Sequence, residues 1–189
     1  MSRISIRTRL AAVATGTAVT AVLALTGASS ATAATPHTAK ATTKTAAVKP
    51  CTGATTKVTA AKVSRPINHL LLTAKNTSRA TCYAYYAPAL RFDEAQSATQ
   101  VIEDSVPQAV VTLEPGQSAY ASVLLSGDRG KAEAHGHIAK KLDVFFMPRA
   151  TGQGSVGPAA HPALPKNTYT DDDARVSYWQ STAALALVW

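Results

Sequence analysis

Two histidines on either side of a single glycine, His135 and His137, are the side chains whose type and spacing most resemble a metal-binding pair. Two imidazoles can bind Zn²⁺ or Cu²⁺, but a competent site needs a third or fourth ligand. Neither the other histidines nor the acidic run at 171–173 stands at a spacing that supplies one. His135 and His137 are therefore weak metal candidates, and an exposed pair on a loop is the favoured interpretation.

The densest aromatic cluster in the sequence is formed by Tyr83, Tyr85 and Tyr86. Alternate residues of a strand point to the same face, so Tyr83 and Tyr85 would lie together, and with Trp179 they are our candidate ligand platform. Sugar rings stack on such surfaces because their C–H groups meet the negative face of the aromatic ring. The alternative is that these rings cover a disulfide and fill the core.

No catalytic constellation and no cofactor motif is recognisable in the sequence. A G-x-G-x-x-G string at 152–157 is followed by prolines instead of the helix that a dinucleotide site needs. No serine stands in the sequence context of a nucleophile elbow. We therefore expect a protein that is not an enzyme and that binds no cofactor.

Residues 1–33 have the three parts of a signal peptide. Three arginines lie within the first nine residues, and an uncharged stretch of Ala, Val, Leu and Thr follows at 10–25. Small residues then lead to Ala33, near which we expect cleavage and hence secretion. The alternative is an uncleaved anchor, which the threonines and the glycine of the stretch disfavour. No membrane-spanning segment is predicted in the mature chain.

Cys51 and Cys82 are the two cysteines of the chain, and in an exported protein such a pair is expected to form a disulfide. In the chain-entropy picture the bond contributes about 3–4 kcal/mol to stability. A reactive cysteine is disfavoured, because there is no C-x-x-C motif and no histidine stands close in sequence to either residue.

The chain divides by composition into the signal peptide, a disordered Ala/Thr/Lys arm at 34–50 and a domain at 51–189. Between residues 34 and 92 there are nine Lys or Arg and no acid. This basic half could favour an anionic cell-envelope polymer or a membrane surface, and the alternative is a positive surface with no specific partner. Nucleic acid is not an expected partner.

Within the domain, short runs of alternating apolar and polar residues are separated by turn residues, which predicts strands. The expected strands are 56–63, 69–75, 81–86, 89–93, 110–113, 118–125, 141–147, 175–179 and 184–189. Residues 81–86 and 89–93 are expected to form one strand with a bend at Pro88. Residues 76–79 and 114–117 are expected turns, the second a type II turn with Gly116 at its positive-φ position. Residues 151–167 are expected to form a long surface loop. The pattern favours an all-β, antiparallel sandwich of about seven to nine strands, with a barrel as the alternative.

Several short motifs are spread over the segment that begins at Cys51. They are Leu70-Leu71-Leu72, Asn76-Thr77-Ser78, Cys82, Pro88 and the run 113–119. Together they resemble a family of secreted actinobacterial proteins that is known only as a domain of unknown function (numbered four-two-three-two). The resemblance implies export and an immunoglobulin-like β-sandwich, and it implies no activity. The sequence departs from the family pattern at Ser78, at Ala84 and at Tyr86-Ala87.

The sequence thus predicts a secreted, non-catalytic β-sandwich that binds an extracellular or cell-envelope ligand. An anionic polymer, a carbohydrate and a secreted protein all remain open as the partner. One alternative is a secreted inhibitor of an extracellular enzyme that presents the 151–167 loop. A metal-binding protein that uses His135 and His137 is the less favoured alternative.

Overall fold

The computed structural model describes residues 47–129 and 133–189, which form short β-strands with very little helix. The predicted signal peptide and residues 34–46 of the predicted arm lie outside the described residues. A 3₁₀ turn spans Glu103–Ser105, and one short helix, α1, spans Ala183–Ala186. The strands are, in chain order, β1 (Lys49–Pro50), β2 (Thr56–Lys62), β3 (His69–Asn76), β4 (Cys82–Phe92), β5 (Gln100–Val101), β6 (Val111–Leu113), β7 (Ser118–Leu124), β8 (His137–Ala139), β9 (Leu142–Met147), β10 (Val156–Ala160), β11 (Thr168–Thr170) and β12 (Arg175–Val176).

The strands form two sheets of five strands and one two-stranded ribbon. Sheet I has the order β1–β4–β9–β10, with β6 also paired to β4, and sheet II has the order β2–β3–β7–β12–β5. The ribbon consists of β8 and β11. The all-β prediction is confirmed. A wholly antiparallel arrangement is wrong, because β1 pairs with β4 and β12 pairs with β5 in parallel.

The long strands form where the alternating pattern predicts them, and their apolar residues face one shared core. In sheet II, Leu72 of β3 lies opposite Ala121 of β7, and both are fully buried. The buried faces of both five-stranded sheets contribute to a single hydrophobic cluster. Sheet II supplies many small side chains to this cluster, which leaves volume for large rings from elsewhere, because protein interiors are close-packed.

The predicted disulfide between Cys51 and Cys82 is confirmed. Both cysteines are buried, and their Cα atoms lie 4.9 Å apart. The backbone N–H of Cys51 also donates to the carbonyl oxygen of Tyr83 at 2.8 Å. The last two residues of the predicted arm are not disordered, since they form β1 beside the first residues of β4. The ordered domain therefore begins before Cys51.

The predicted turn between β6 and β7 is present. Gly116 has φ +85°, and the N–H of Gln117 donates to the carbonyl oxygen of Glu114 at 3.0 Å. A β-carbon at that φ would be strained, which explains the glycine. The two strands that the turn joins belong to different sheets, because β6 pairs with β4 and β7 pairs with β3.

A buried amide, that of Asn76, connects the end of β3 to the neighbouring turns. Its Nδ2 donates to the carbonyl oxygens of Leu113 and Ala80, at 2.9 and 2.8 Å. Its Oδ1 accepts from the backbone N–H and the hydroxyl of Ser78. Asn76 is fully buried, so these bonds replace all of its contacts with water. The predicted polar turn at 76–79 is the local part of this arrangement.

The predicted bend at Pro88 is present as a bulge, because the register of β4 against β9 is irregular between Tyr85 and Ala89. Tyr86 takes a positive φ of 55° within the bulge.

The predicted long loop at 151–167 is wrong in part, because it contains β10, which pairs with β9. Two glycines permit this strand to lie close to the chain near the disulfide. A β-carbon on Gly53 would stand 2.5 Å from the Pro158 carbonyl oxygen, and one on Gly157 would stand 2.7 Å from the Thr52 side chain. Glycine allows this close backbone approach, which a search for apolar alternation does not detect.

The predicted strand at 184–189 is also wrong, because α1 includes the first three of these residues. The Thr182 hydroxyl oxygen accepts a hydrogen bond from the N–H of Leu185 at 3.2 Å and caps the helix. Such a cap, followed by alanine and leucine, favours helix. No helix in residues 47–129 and 133–189 is both long enough and apolar enough to cross a bilayer.

Replacing Asn76 with Ala should destabilise the fold by about 2–4 kcal/mol, because the carbonyl groups of Leu113 and Ala80 each lose one donor and Ser78 loses an acceptor. Chemical denaturation of the oxidised protein measures the change. Gln108→Ala is the control, since Gln108 is exposed and its side chain makes no hydrogen bond among the described residues. Equal stability of the two variants would contradict this role of Asn76.

Candidate functional site

Trp179 does not belong to a surface platform. Its side chain is fully buried, and its ring stacks on Phe146 with 5.5 Å between centroids and 11° between planes. The backbone N–H of Trp179 donates to the carbonyl oxygen of Tyr86 at 3.0 Å, which fixes the segment against the bulge of β4. Trp179 thus fills the volume that the small residues of sheet II leave open, and the predicted platform with Tyr83 and Tyr85 must be corrected.

Tyr83 and Tyr85 do share a face, and that face is on the outside of sheet I. Cys82 and Ala84 occupy inward positions of β4 and are buried. Tyr83 and Tyr85 alternate with them, so both tyrosines point outward and are half-buried. The two ring centroids lie 5.6 Å apart, and the ring planes are tilted by 57°. The tilt means that the rings do not form one flat surface.

Strand β9 adds two more side chains to the same outer surface. Met147 pairs with Tyr85, and Phe145 pairs with Ala89 just beyond the bulge. Both are half-buried, whereas Leu142, Val144 and Phe146 take the buried positions of the strand. We call Tyr83, Tyr85, Phe145 and Met147 the aromatic face. The alternation within β9 indicates that Phe145 points away from the core, but only the register places it on the surface that carries the tyrosines.

A polar cluster lies at one end of the aromatic face. The Arg91 guanidinium donates from Nε and Nη2 to Asp143 Oδ2, at 3.1 and 2.6 Å. The His161 Nδ1 lies 2.7 Å from Asp143 Oδ1 and donates to it. The same guanidinium lies over the Phe145 ring at 5.8 Å from its centroid, a cation–π contact. These contacts orient the cluster, and the Arg91 side chain remains partly exposed to solvent.

The carboxylate of Asp143 is held in its ionised form. The hydrogen bond from Arg91 lowers its pKa, burial opposes this, and the hydrogen bond from His161 lowers it further, so the pKa lies below its ordinary value. Asp143 therefore accepts hydrogen bonds at neutral pH and does not act as an acid.

His135 and His137 line one cleft of about 310 Å³, but each contacts a different aspartate. His135 Nδ1 lies 2.9 Å from Asp172 Oδ2, and His137 Nε2 lies 3.0 Å from Asp93 Oδ2. Gly136 is required between them, because a β-carbon there would clash with the Tyr169 ring. Within the described ranges, no three histidine, cysteine or acidic side chains come together as metal ligands.

Asp93 is committed to backbone contacts. Its Oδ1 accepts from the N–H groups of Lys140 and Lys141, both at 2.9 Å. Burial alone would raise the pKa of Asp93. The two backbone hydrogen bonds and the contact with His137 have a larger opposite effect, so the pKa lies below its ordinary value. The carboxylate fixes the start of β9 relative to the end of β4.

A groove of about 640 Å³ lies between residues 105–112 and the C-terminal segment. Its exposed apolar side chains are those of Val106, Val110, Leu185 and Val188. None of the side chains that line it is titratable. The groove therefore offers mainly apolar contact.

A family model described as "Domain of unknown function (DUF4232)" matches residues 51–180. This chain belongs to the DUF4232 family. The matched range begins at the first cysteine of the disulfide and contains the whole aromatic face. No curated protein and no solved structure is matched by the chain. The match confirms the domain-of-unknown-function family that the motifs between Cys51 and residue 119 resemble.

The ion pair of Asp143 should make the stability of this DUF4232 domain depend on pH. Because the pKa of Asp143 is lowered in the folded state, its contribution is complete above the unfolded value of about 3.9 and is lost as pH falls through the folded value. Asp143→Asn should be slightly less stable than the wild type at pH 7, and this difference should shrink as the pH is lowered below about 3.9, as measured by thermal unfolding. Asp104→Asn is the control, because Asp104 is exposed and makes no ion pair among the described residues. A difference that does not shrink as the pH is lowered would exclude the ion pair as its cause.

Proposed function

We propose that this DUF4232 domain is an extracellular, non-catalytic module that binds a cell-envelope polysaccharide on the aromatic face. The observation that carries the proposal is the outward position of Tyr83, Tyr85 and Phe145 on adjacent strands of sheet I. Aromatic residues make up only 6% of the chain, yet these three do not belong to the core cluster. Grouped, partly exposed rings are typical of binding surfaces.

The chemistry of the aromatic face suits a sugar chain. The C–H groups of a sugar ring can stack on the negative faces of Tyr and Phe. Arg91 lies over the Phe145 ring, and His161 contacts Asp143, the same aspartate that Arg91 binds. The guanidinium can donate hydrogen bonds to sugar hydroxyl groups, and the imidazole can form hydrogen bonds with them. A polysaccharide presents both kinds of group in each repeat, so one chain could contact the rings and the polar cluster together.

The tilt between the rings favours a flexible or twisted chain over a crystalline surface. Tyr83 and Tyr85 are inclined by 57°, and Tyr85 and Tyr86 by 39°. A flat crystal face of cellulose would contact only one such ring at a time, whereas a single twisted glycan can follow successive rings. We therefore expect soluble or amorphous glycan to bind better than crystalline cellulose.

The proposal includes secretion from an actinobacterial cell and an immunoglobulin-like arrangement of the two sheets. The signal-peptide pattern at 1–33 supports export. The buried disulfide is consistent with an oxidising compartment. The DUF4232 match and the core shared by two five-stranded sheets support the sandwich.

Tyr85→Ala should weaken binding to soluble peptidoglycan fragments about tenfold, which corresponds to about 1.4 kcal/mol, because the central ring of the face is removed. Isothermal titration calorimetry measures the affinity, and crystalline cellulose serves as the second substrate. Leu71→Ala is the control, since Leu71 is a half-buried side chain on the outer face of sheet II. The proposal fails if wild-type protein does not bind the fragments, or if Tyr85→Ala and Leu71→Ala bind them equally well.

A further inference from the structure

The outer face of sheet II carries two lysines directly opposite each other. Lys57 of β2 pairs in register with Lys75 of β3, and both side chains are exposed. The next outward pair along the same strands is Thr59 and Thr73. Tyr120 of β7 continues this second row, because it pairs with Thr73. We call these five residues the lysine face.

The two lysines have no anionic partner in the described part of the chain. Neither side chain makes an ion pair or a hydrogen bond among residues 47–129 and 133–189. The described chain has no acidic residue before Asp93, so neither β2 nor β3 offers a counter-charge. Glu114 lies in the turn that precedes β7, but its carboxylate forms no ion pair with a described residue. Like charges directly opposite on a sheet are destabilising.

Protection of an exposed sheet edge accounts for only one of these lysines. β2 is the edge strand of sheet II, and charged side chains on an edge discourage unwanted strand pairing. β3 lies between β2 and β7, so Lys75 is not on an edge. Edge protection therefore does not explain why Lys75 lies opposite Lys57.

We infer that the lysine face binds a phosphodiester-linked polyanionic chain, with a phosphate group held between Lys57 and Lys75. The β-carbons of directly opposed residues are about 5 Å apart, so two ammonium groups can approach one phosphate from both sides. Lysine is an effective point-charge partner for phosphate. The Thr59, Thr73 and Tyr120 hydroxyls, two residues further along the strands, offer hydrogen bonds to the next part of the chain.

The composition of the lysine face favours a polymer over a lipid headgroup. Its residues are cationic or hydroxyl-bearing, and none is a large exposed apolar side chain that could enter a bilayer. The exposed Ile67 lies beyond the opposite end of β2, in the connection to β3. At about 3.3 Å per residue, the length of β2 separates it from Lys57.

This site is independent of the proposed polysaccharide site, because the two faces belong to different sheets. The Tyr85→Ala variant should lose glycan binding and keep its binding to the phosphate polymer. Loss of both activities in one single-face variant would instead indicate a folding defect.

The test compares wild type with a Lys57→Gln/Lys75→Gln double variant. The probe is poly(glycerol phosphate), with vesicles of phosphatidylglycerol as a second arm. Wild type should bind the polymer, with affinity that falls as salt rises, and the double variant should bind it at least tenfold more weakly. The unfolding midpoint of the double variant should be equal or higher, because the repulsion between the lysines is removed.

Lys140→Gln/Lys166→Gln is the matched control, because it removes two exposed charges whose ammonium groups make no ion pair in the described residues. It should retain most of the affinity for the polymer. Equal losses in both double variants would show a non-specific charge effect and overturn the inference. Absence of polymer binding by wild type, or tighter binding to the vesicles than to the polymer, would overturn it as well.

Discussion

The buried side-chain amide of Asn76 holds together the three segments on which the rest of the structure depends. Its two N–H groups reach Leu113 at the end of β6 and Ala80 just before β4, while its oxygen accepts from Ser78. Its backbone adds two bonds to the β6–β7 turn: the N–H of Asn76 donates to the carbonyl oxygen of Gln117, and the carbonyl oxygen of Asn76 accepts from the N–H of Gly116. A buried amide must satisfy all these groups or lose the energy of desolvating them. One residue thus fixes where sheet II ends, where the chain crosses to sheet I and where β4 begins.

The position of β4 decides which side chains are inside. Cys82 enters β4 facing the core and closes the disulfide, so Tyr83 and Tyr85 must face outward by strand alternation. Small residues on the inner face of sheet II leave room for Trp179, which stacks on Phe146. The molecule therefore places one large ring pair in its core and another aromatic group on its outer surface. The proposed binding role follows from this division.

Alternation in the sequence predicts the long strands, because each buries one face. The sequence predicts β3, β7 and β9 in this way. It also predicts the disulfide and the turn at Gly116. β1 and β5 have two residues each, and so short a strand needs only backbone hydrogen bonds and leaves no side-chain pattern. β12 covers only the first two residues of the predicted strand at 175–179. β10 depends on the close backbone approach that Gly53 and Gly157 permit, and α1 depends on one capping hydroxyl.

The candidate sites show the same difference between local and long-range information. That Tyr83 and Tyr85 share a face follows from their spacing alone. The burial of Trp179 depends on Phe146, which is distant in sequence, and the proximity of Phe145 to the tyrosines depends on a register that passes through the bulge at Pro88. The opposition of Lys57 and Lys75 likewise follows from the register of β2 against β3, which is visible only once the two strands are paired.

The most direct test of the account is aromatic-ring NMR of the folded, oxidised protein titrated with soluble peptidoglycan fragments. We expect saturable shifts at the rings of Tyr83, Tyr85 and Phe145, with the Trp179 ring unchanged because it is enclosed in the core. Saturable shifts confined to other surfaces, with Tyr85 and Phe145 unaffected, would contradict the assignment of the aromatic face as the binding site.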